Sequence, residues 1–307
     1  MNGTATAMPS ALPTLRSGFD RHVSFALLGV QCRDVADGRV VSDGLQLVLE
    51  DLWRPPHARS WRSLSPNGSG VFALHEFPGI RRFLTPDEAN GNLPADLDDI
   101  VSPASPASPD LPRFRLTVHD RLGRYVDMAL TPTLGQGLWG PVSTASSPDV
   151  QPHVPLYSSA TRTPPMGMAS LRTELRSATR PTDPIAWAHL RLMLGTQVLA
   201  EGLSDATGRV HLVFPLPRPR EGLPQGSPAT AAALLDWPVR LQAFWSPDRR
   251  TDLAEARVPD LDEVLSQAEA PLLQQRSPPI PLGTLTLRAG QNLLVASSPS
   301  SFLFVAD

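Results

Sequence analysis

The chain contains no lysine, and all 27 of its basic residues are arginine. This absence excludes a Schiff-base lysine, a lysine nucleophile and the lysine of a phosphate-binding loop. A genome rich in G and C produces the same bias without a functional cause. The formal net charge is only −3 over 307 residues, so no overall field attracts nucleic acid or an anionic membrane.

Cysteine is almost as scarce. Because Cys32 is the sole cysteine, an internal disulfide and a multi-cysteine zinc site are excluded. Cys32 follows Val30 in a strand-like run and is expected to be a small buried hydrophobic residue. There is no apolar run of about 18 residues, so no membrane span is expected. The first 20 residues lack the charged start and apolar centre of a signal peptide, which makes the cytoplasm the simplest compartment.

Sequence motifs for catalysis are also missing. HExxH, GxSxG and GxxxxGK[ST] do not occur, and the seven histidines have no helical or hairpin metal spacing. Asp96, Asp98 and Asp99 resemble part of a calcium loop, but the turn glycine and the closing glutamate are not in place. We therefore predict no catalytic residue, no cofactor and no metal site. A hydrolase whose site forms only on folding stays open.

Proline, in contrast, is abundant at 34 residues, which favours short strands and irregular loops over long helices. Two runs alternate leucine with other residues, as expected of strands with one buried face. The leucines of these runs are Leu45, Leu47 and Leu49 in the first, and Leu190, Leu192 and Leu194 in the second. The two runs indicate equivalent strands in two halves of the chain.

An internal repeat follows these leucine runs. LSPNGSGVFALHEFP begins at Leu64, and LSDATGRVHLVFPLP begins at Leu203, which is 139 residues later. A turn needs its glycine at a position with positive φ, and Gly70 matches Gly208 only at an offset of 138. We therefore predict an offset of 138, with one extra residue in the first turn. This register directs Arg209 and His211 to water and buries Phe72, Leu74, Val210, Leu212 and Phe214.

Other elements are weaker. Strands are predicted at 114–120 and 238–245, and a hairpin at 284–296 that turns at Ala289-Gly290. Two short helices are predicted, one capped by Ser227 and one by Asp260. The second helix carries an apolar stripe that we expect to pack on its own domain, formed by Leu261, Val264, Leu265 and Ala268.

Two segments rich in serine and proline, 97–112 and 141–167, resist assignment to strands. We interpret the second as a linker. The predicted organisation is an N-terminal arm (1–19), a first domain (20–140), this linker (141–167) and a second domain ending in the hairpin (168–307). Contact with other chains, or with their own domains, is expected to order both segments.

The stretch LWRPPHARSWRS, residues 52–63, lies in a loop that is about six residues longer in the first copy than in the second. It gathers tryptophan and arginine, the side chains enriched at protein interface hot spots. The candidate interface residues are Trp53, Arg54, His57, Arg59, Trp61 and Arg62. Two alternatives stay open: the tryptophans plug the end of a sandwich, or the loop binds glycan or nucleic acid.

Both repeats resemble the carboxypeptidase regulatory-like family, whose signature is a hydroxyl residue, an acid, two variable residues, a glycine and an alternating strand ending near Pro-Gly. Residues 204–210 follow the first part of the signature and residues 70–79 the second. Pro66 replaces the acid in the first copy, and no glycine follows Pro217 in the second. The resemblance implies a mainly β chain with two tandem antiparallel β-sandwiches of transthyretin or immunoglobulin-like type, with long Pro/Ser-rich loops and one or two short helices.

Tandem, proline-rich arrangements of such domains are similar to accessory structural proteins encoded with contractile phage-tail-like injection systems. The resemblance implies a non-enzymatic structural or adaptor subunit, whose partners are other subunits of the particle or further copies of itself. The nearly balanced charge predicts no nucleic-acid partner for the chain as a whole. A carbohydrate-binding or adhesive module is the alternative, and a groove lined by Trp53 and Trp61 would favour it.

Overall fold

The computed structural model describes residues 28–75, 77, 113–131, 153–218, 235–249, 258–289 and 291–306. These residues are mainly β, as predicted. Seven strands lie in the N-terminal half: β1 (Leu28–Asp34), β2 (Leu45–Asp51), β3 (Trp61–Pro66), β4 (Val71–Leu74), β5 (Phe114–Asp120), β6 (Met128–Leu130) and β7 (Val154–Leu156).

The C-terminal half contains further strands: β8 (Met168–Ser177), β9 (His189–Leu194), β10 (Gln197–Leu203), β11 (Arg209–Pro215), β12 (Asp236–Phe244), β13 (Glu269–Ala270), β14 (Leu272–Gln275), β15 (Ile280–Pro281), β16 (Leu285–Arg288), β17 (Leu293–Leu294) and β18 (Leu303–Val305). Helix α1 spans Leu261–Leu265, and two 3-10 turns span Pro56–Ala58 and Pro247–Arg249. The predicted N-terminal arm, the acidic loop at Asp96, the segment 97–112 and the helix predicted at Ser227 lie outside the described residues.

The N-terminal half forms one sheet in the order β6-β5-β2-β3-β4-β1-β7. Strand β3 pairs with β2 over Trp61–Leu64 and then with β4 at Ser65 and Pro66, so it links the two parts of the sheet. The sheet surrounds a hydrophobic cluster, the N-terminal cluster, to which Leu47 and Leu49 of β2 contribute as predicted.

The C-terminal half has two sheets, β10-β9-β12-β13 with β16 beside β12, and β11-β8-β18-β14-β15 with β17 beside β8. Their buried side chains meet in a second cluster, the C-terminal cluster, which includes Leu190, Leu192 and Leu212. The hairpin predicted at 284–296 is wrong. Strand β16 pairs with β12, whereas β17 pairs with β8, so the segment between them crosses from one sheet to the other.

The two repeated turns have the same hydrogen bonds at an offset of 138. The Asn67 Oδ1 atom accepts from the backbone N–H groups two and four residues later, at 2.9 and 3.0 Å. Asp205 Oδ1 accepts from the equivalent groups at 2.8 and 3.0 Å. Gly70 and Gly208 have φ of 75° and 80°. The predicted offset is thus confirmed. Asn67, rather than Pro66, occupies the position of the acid. The prediction of an extra residue in the first turn is wrong, because the extra residue lies before the turn, between Leu64 and Asn67.

The predicted strand faces are only partly confirmed. Phe72, Leu74 and the three apolar residues predicted on β11 are buried, and Arg209 is exposed. The prediction that His211 faces water is wrong, because it is only 1% exposed. Its ring contacts the carbonyl group of Ser159. A second layer therefore covers the face of β11 that the alternating pattern assigned to solvent.

Helix α1 begins as predicted, since Asp260 Oδ1 accepts from Asp262 N at 3.1 Å. Its apolar side chains Leu261 and Val264, however, belong to the N-terminal cluster. Pro259 O accepts from Ala129 N at 2.9 Å, which attaches the approach to the helix to β6. The expectation that this helix packs on its own half is therefore wrong: it is one of the contacts that join the two halves.

Candidate functional site

The predicted Trp/Arg stretch, residues 52–63, consists of the loop 52–60 that joins β2 to β3 and the first three residues of β3. Its base is fixed by Asp51, whose N–H donates to Ser60 O at 3.0 Å and whose Oδ2 accepts from Ser60 N at 3.1 Å. A 3-10 turn over Pro56–Ala58 places His57 in solvent. The equivalent turn between β9 and β10 is only Gly195-Thr196.

Trp53 folds back onto the N-terminal cluster. Its ring meets Phe114 edge-on at a centroid distance of 4.8 Å and Phe77 at 5.7 Å. The two phenylalanines contact each other at 5.3 Å. This edge-to-face triad stabilises the end of the core, so the plug interpretation fits Trp53.

Trp61 is in the opposite situation, with 65% of its surface exposed. Because Leu64 of the same strand points into the core, the alternation of β3 places Trp61 on the outer face. Across the hairpin it pairs with Glu50. The two tryptophans therefore lie on opposite faces of the β2–β3 hairpin and do not line a common groove. The plug interpretation is wrong for Trp61.

Of the three arginines in residues 52–63, Arg54 and Arg59 are held by other side chains. Arg54 donates to Ser60 Oγ at 2.7 Å, and its Nε lies 3.4 Å from Asp51 Oδ2. Arg59 lies 3.6 Å from Glu50 Oε1. Arg62 is exposed, and its Nη1 donates to Trp61 O at 3.2 Å. We define Trp61, Glu50 and Arg59 as the Trp61 patch.

A second polar cluster lies in the stretch that the sequence suggested was a linker. Residues 157–162, the bridging segment, follow β7. Arg162 is 7% exposed and Asp34 is 3% exposed, and both Arg162 Nη atoms donate to the Asp34 carboxylate, one at 3.0 Å. Asp34 also accepts from the Tyr125 hydroxyl at 3.0 Å, and Arg162 also donates to Ser158 Oγ at 2.8 Å. Burial, followed by the charge of Asp34, raises the pKa of Tyr125.

Sequence reasoning missed this ion pair. Asp34 and Arg162 are 128 positions apart, and Arg162 stands among small polar residues, so no spacing or periodicity marks either residue. A buried pair of this kind is costly unless it is fully hydrogen-bonded. The three partners of the Asp34 carboxylate meet this condition: Arg162, Tyr125 and the Ala36 backbone N–H.

Two buried histidines lie on the C-terminal side of the bridging segment. His211 Nδ1 is 3.2 Å from Ser159 O, so this nitrogen carries the proton and donates it. The ring of His189 lies 6.3 Å from that of Tyr157 and stacks on Phe244 at 5.5 Å. The Nε2 atom of each histidine is buried without a hydrogen-bond partner among the described residues. Burial holds the pKa of His211 at about 4 and that of His189 at about 3.

No protein-family model matches the chain, and no curated protein matches it. The Bacillus anthracis TIE protein is a distant structural neighbour, with a TM-score of 0.23 and 7% identity, over 92% of this chain. The chain spans 34% of the length of that protein. A TM-score this low carries no argument about function.

Within the described part of the chain, no group of three or more histidine, cysteine, aspartate or glutamate side chains is arranged to hold a metal ion. Cys32 is buried, which raises its pKa to about 12. Among the helices of those residues, none is long and apolar enough to cross a membrane.

Proposed function

We propose that the protein is a non-enzymatic structural or adaptor subunit that binds other subunits of an assembly. The observation that carries this proposal is the exposure of Trp61 on an outer sheet face. Tryptophan and arginine are among the side chains most enriched at interface hot spots, and here Trp61 pairs across the hairpin with Glu50, which lies beside Arg59. The Trp61 patch therefore combines a large apolar anchor with a polar rim.

Fewer residues are available to bind a partner than the sequence predicted. Trp53 stabilises the core, and Arg54 and Arg59 are engaged with Asp51 and Glu50. Arg62 is exposed, but it follows Trp61 directly on β3, so alternation directs it to the other face of the hairpin. We propose that Trp61 supplies most of the affinity and that the neighbouring Glu50–Arg59 pair supplies the salt dependence.

The resemblance of the repeats to carboxypeptidase regulatory-like domains supports two finer parts of the proposal. The first is that the two halves are tandem β-sandwich domains with a common ancestor. The second is that the assembly is a contractile phage-tail-like injection particle. The matching turns at Asn67 and Asp205 support the first part, and the second depends on the resemblance alone.

The test is sedimentation of particles from two strains of the native cell, one that produces the wild-type chain and one that produces the Trp61→Ala variant. We expect wild-type protein to sediment at a fixed ratio with sheath, tube or baseplate subunits. Losing an anchor of about 2 kcal/mol weakens binding about thirtyfold, so Trp61→Ala should stay in the supernatant. Leu122→Ala, at a position that is 61% exposed on another turn, is the matched control and should sediment normally. A wild-type chain that never sediments with such subunits refutes the proposal.

A further inference from the structure

The bridging segment is held from both sides. The N-terminal half binds it through the Arg162–Asp34 pair and through Ser159 N, which donates to Arg124 O at 2.9 Å. The C-terminal half binds its carbonyl groups: His211 of β11 donates to Ser159 O, and Arg172 of β8 donates to Arg162 O, each at 3.2 Å. Together with helix α1, this segment forms the junction between the halves.

His211 is neutral where it contacts the segment. Its Nδ1 donates to Ser159 O, and its Nε2 has no partner within the described ranges. The charged groups that face it are Arg172 on the neighbouring strand β8 and Arg162 on the bridging segment, whose charge is already paired with Asp34. A second proton on His211 would therefore be buried beside two guanidinium groups, and the new N–H would have no acceptor among those residues.

His189 is the second neutral group at the junction. Its Nε2 lies 3.7 Å from Glu201 Oε1 on β10, which is too long for a hydrogen bond. That carboxylate accepts from Arg191 at 2.8 Å. Tyr157 of the bridging segment and Phe244 of β12 cover the ring. A proton on His189 would thus be added close to Arg191, opposite a carboxylate that already has a partner.

We propose that the junction is an acid-sensitive contact, closed while His189 and His211 are neutral and opened when they are protonated. The inference goes beyond assembly, because it concerns the isolated chain. Burial and Arg172 lower the pKa of His211 to about 4, and burial and Arg191 lower that of His189 to about 3. The ordinary value is 6.5.

The direction of the pH dependence follows from these values. An opened junction exposes both imidazoles to water, so they bind protons below about pH 6.5, whereas the closed junction binds them only near pH 4 and pH 3. The closed form is therefore fully favoured above pH 6.5 and loses its advantage as the pH falls toward 4. Between these values, each histidine raises the equilibrium constant for opening about tenfold for every unit by which the pH falls.

The experiment is energy transfer between dyes on Arg39→Cys in the N-terminal half and Arg240→Cys in the C-terminal half, both exposed positions. Cys32 is buried and will not react with the dyes. Transfer is measured from about pH 7.5 to 4.0, with circular dichroism of the strands recorded in parallel. Three further variants are measured in the same way. The first is a double variant with His189→Leu and His211→Gln, the second carries His211→Gln alone, and the third carries His57→Gln alone. In the His211→Gln chains, the glutamine amide can still donate to Ser159 O but cannot take up a proton.

We expect transfer in the wild type to fall below about pH 6.5 while the strand signal persists. The double variant should hold its transfer to a lower pH, and His57→Gln, at an exposed position, should follow the wild type. If the double variant does not fold, the single His211→Gln variant should shift the transition in the same direction. Equal transitions in the wild type and these variants, or simultaneous loss of transfer and strand signal in all of them, would overturn the inference.

Discussion

Replacing Arg162 with methionine tests how strongly the bridging segment is anchored. The substitution keeps most of the side-chain volume but removes the guanidinium that donates twice to Asp34. Breaking a buried ion pair from one side costs about 3–5 kcal/mol, because the remaining charge is left buried and unpaired. Asp34 keeps the Tyr125 hydroxyl and the Ala36 N–H as donors, so we expect the lower end, about 3 kcal/mol.

Urea denaturation followed by circular dichroism measures this loss. With a slope of about 3 kcal/mol per molar urea for a chain of this size, the midpoint should fall by about 1 M. The matched control is Arg39→Met, which removes an arginine paired with Asp37 at the surface, with 83% of the Arg39 side chain exposed. That change should alter stability by less than about 0.5 kcal/mol.

A second substitution separates charge from packing. Adding Asp34→Asn to Arg162→Met removes the unpaired carboxylate, so part of the lost stability should return. Recovery should be incomplete, because the new amide brings N–H donors into a site built of donors. A loss of unfolding free energy from Arg162→Met no larger than that from Arg39→Met would contradict the anchoring role of the ion pair, as would a further loss when Asp34→Asn is added.

Two further outcomes separate core from surface. Trp53→Ala should lower the free energy of unfolding by about 2 kcal/mol, because it removes two edge-to-face contacts. Trp61→Ala should change it by less than about 0.5 kcal/mol. Thermal unfolding of both variants measures the difference, and equal losses would contradict the assignment of Trp53 to the core and Trp61 to the surface. Gly208→Ala should cost more than Gly70→Ala in the same assay, although both positions need positive φ. A Cβ at 208 would lie 2.5 Å from the backbone oxygen of Leu175, whereas one at 70 would lie 2.9 Å from Cγ1 of Val40, a side chain that is 40% exposed.

The sequence alone determined the local features of the fold. Alternation predicted the buried leucines of β2 and β9, and the requirement for positive φ located the turns at Gly70 and Gly208. The cap at Asp260 was predicted for a similar reason. Each of these features depends on residues within a few positions of one another, so the local sequence is enough to predict it.

Only the tertiary structure decided how these elements cover one another. Alternation distinguishes the two faces of a strand but does not say whether a second layer covers the outer face, which is why His211 was assigned to water. The same holds for the burial of Trp53 and the exposure of Trp61, which depend on side chains far apart in the sequence. It also holds for the ion pair between Asp34 and Arg162. Helix α1 shows the same limit: its apolar stripe is visible in the sequence, but which core it enters depends on how the two halves pack.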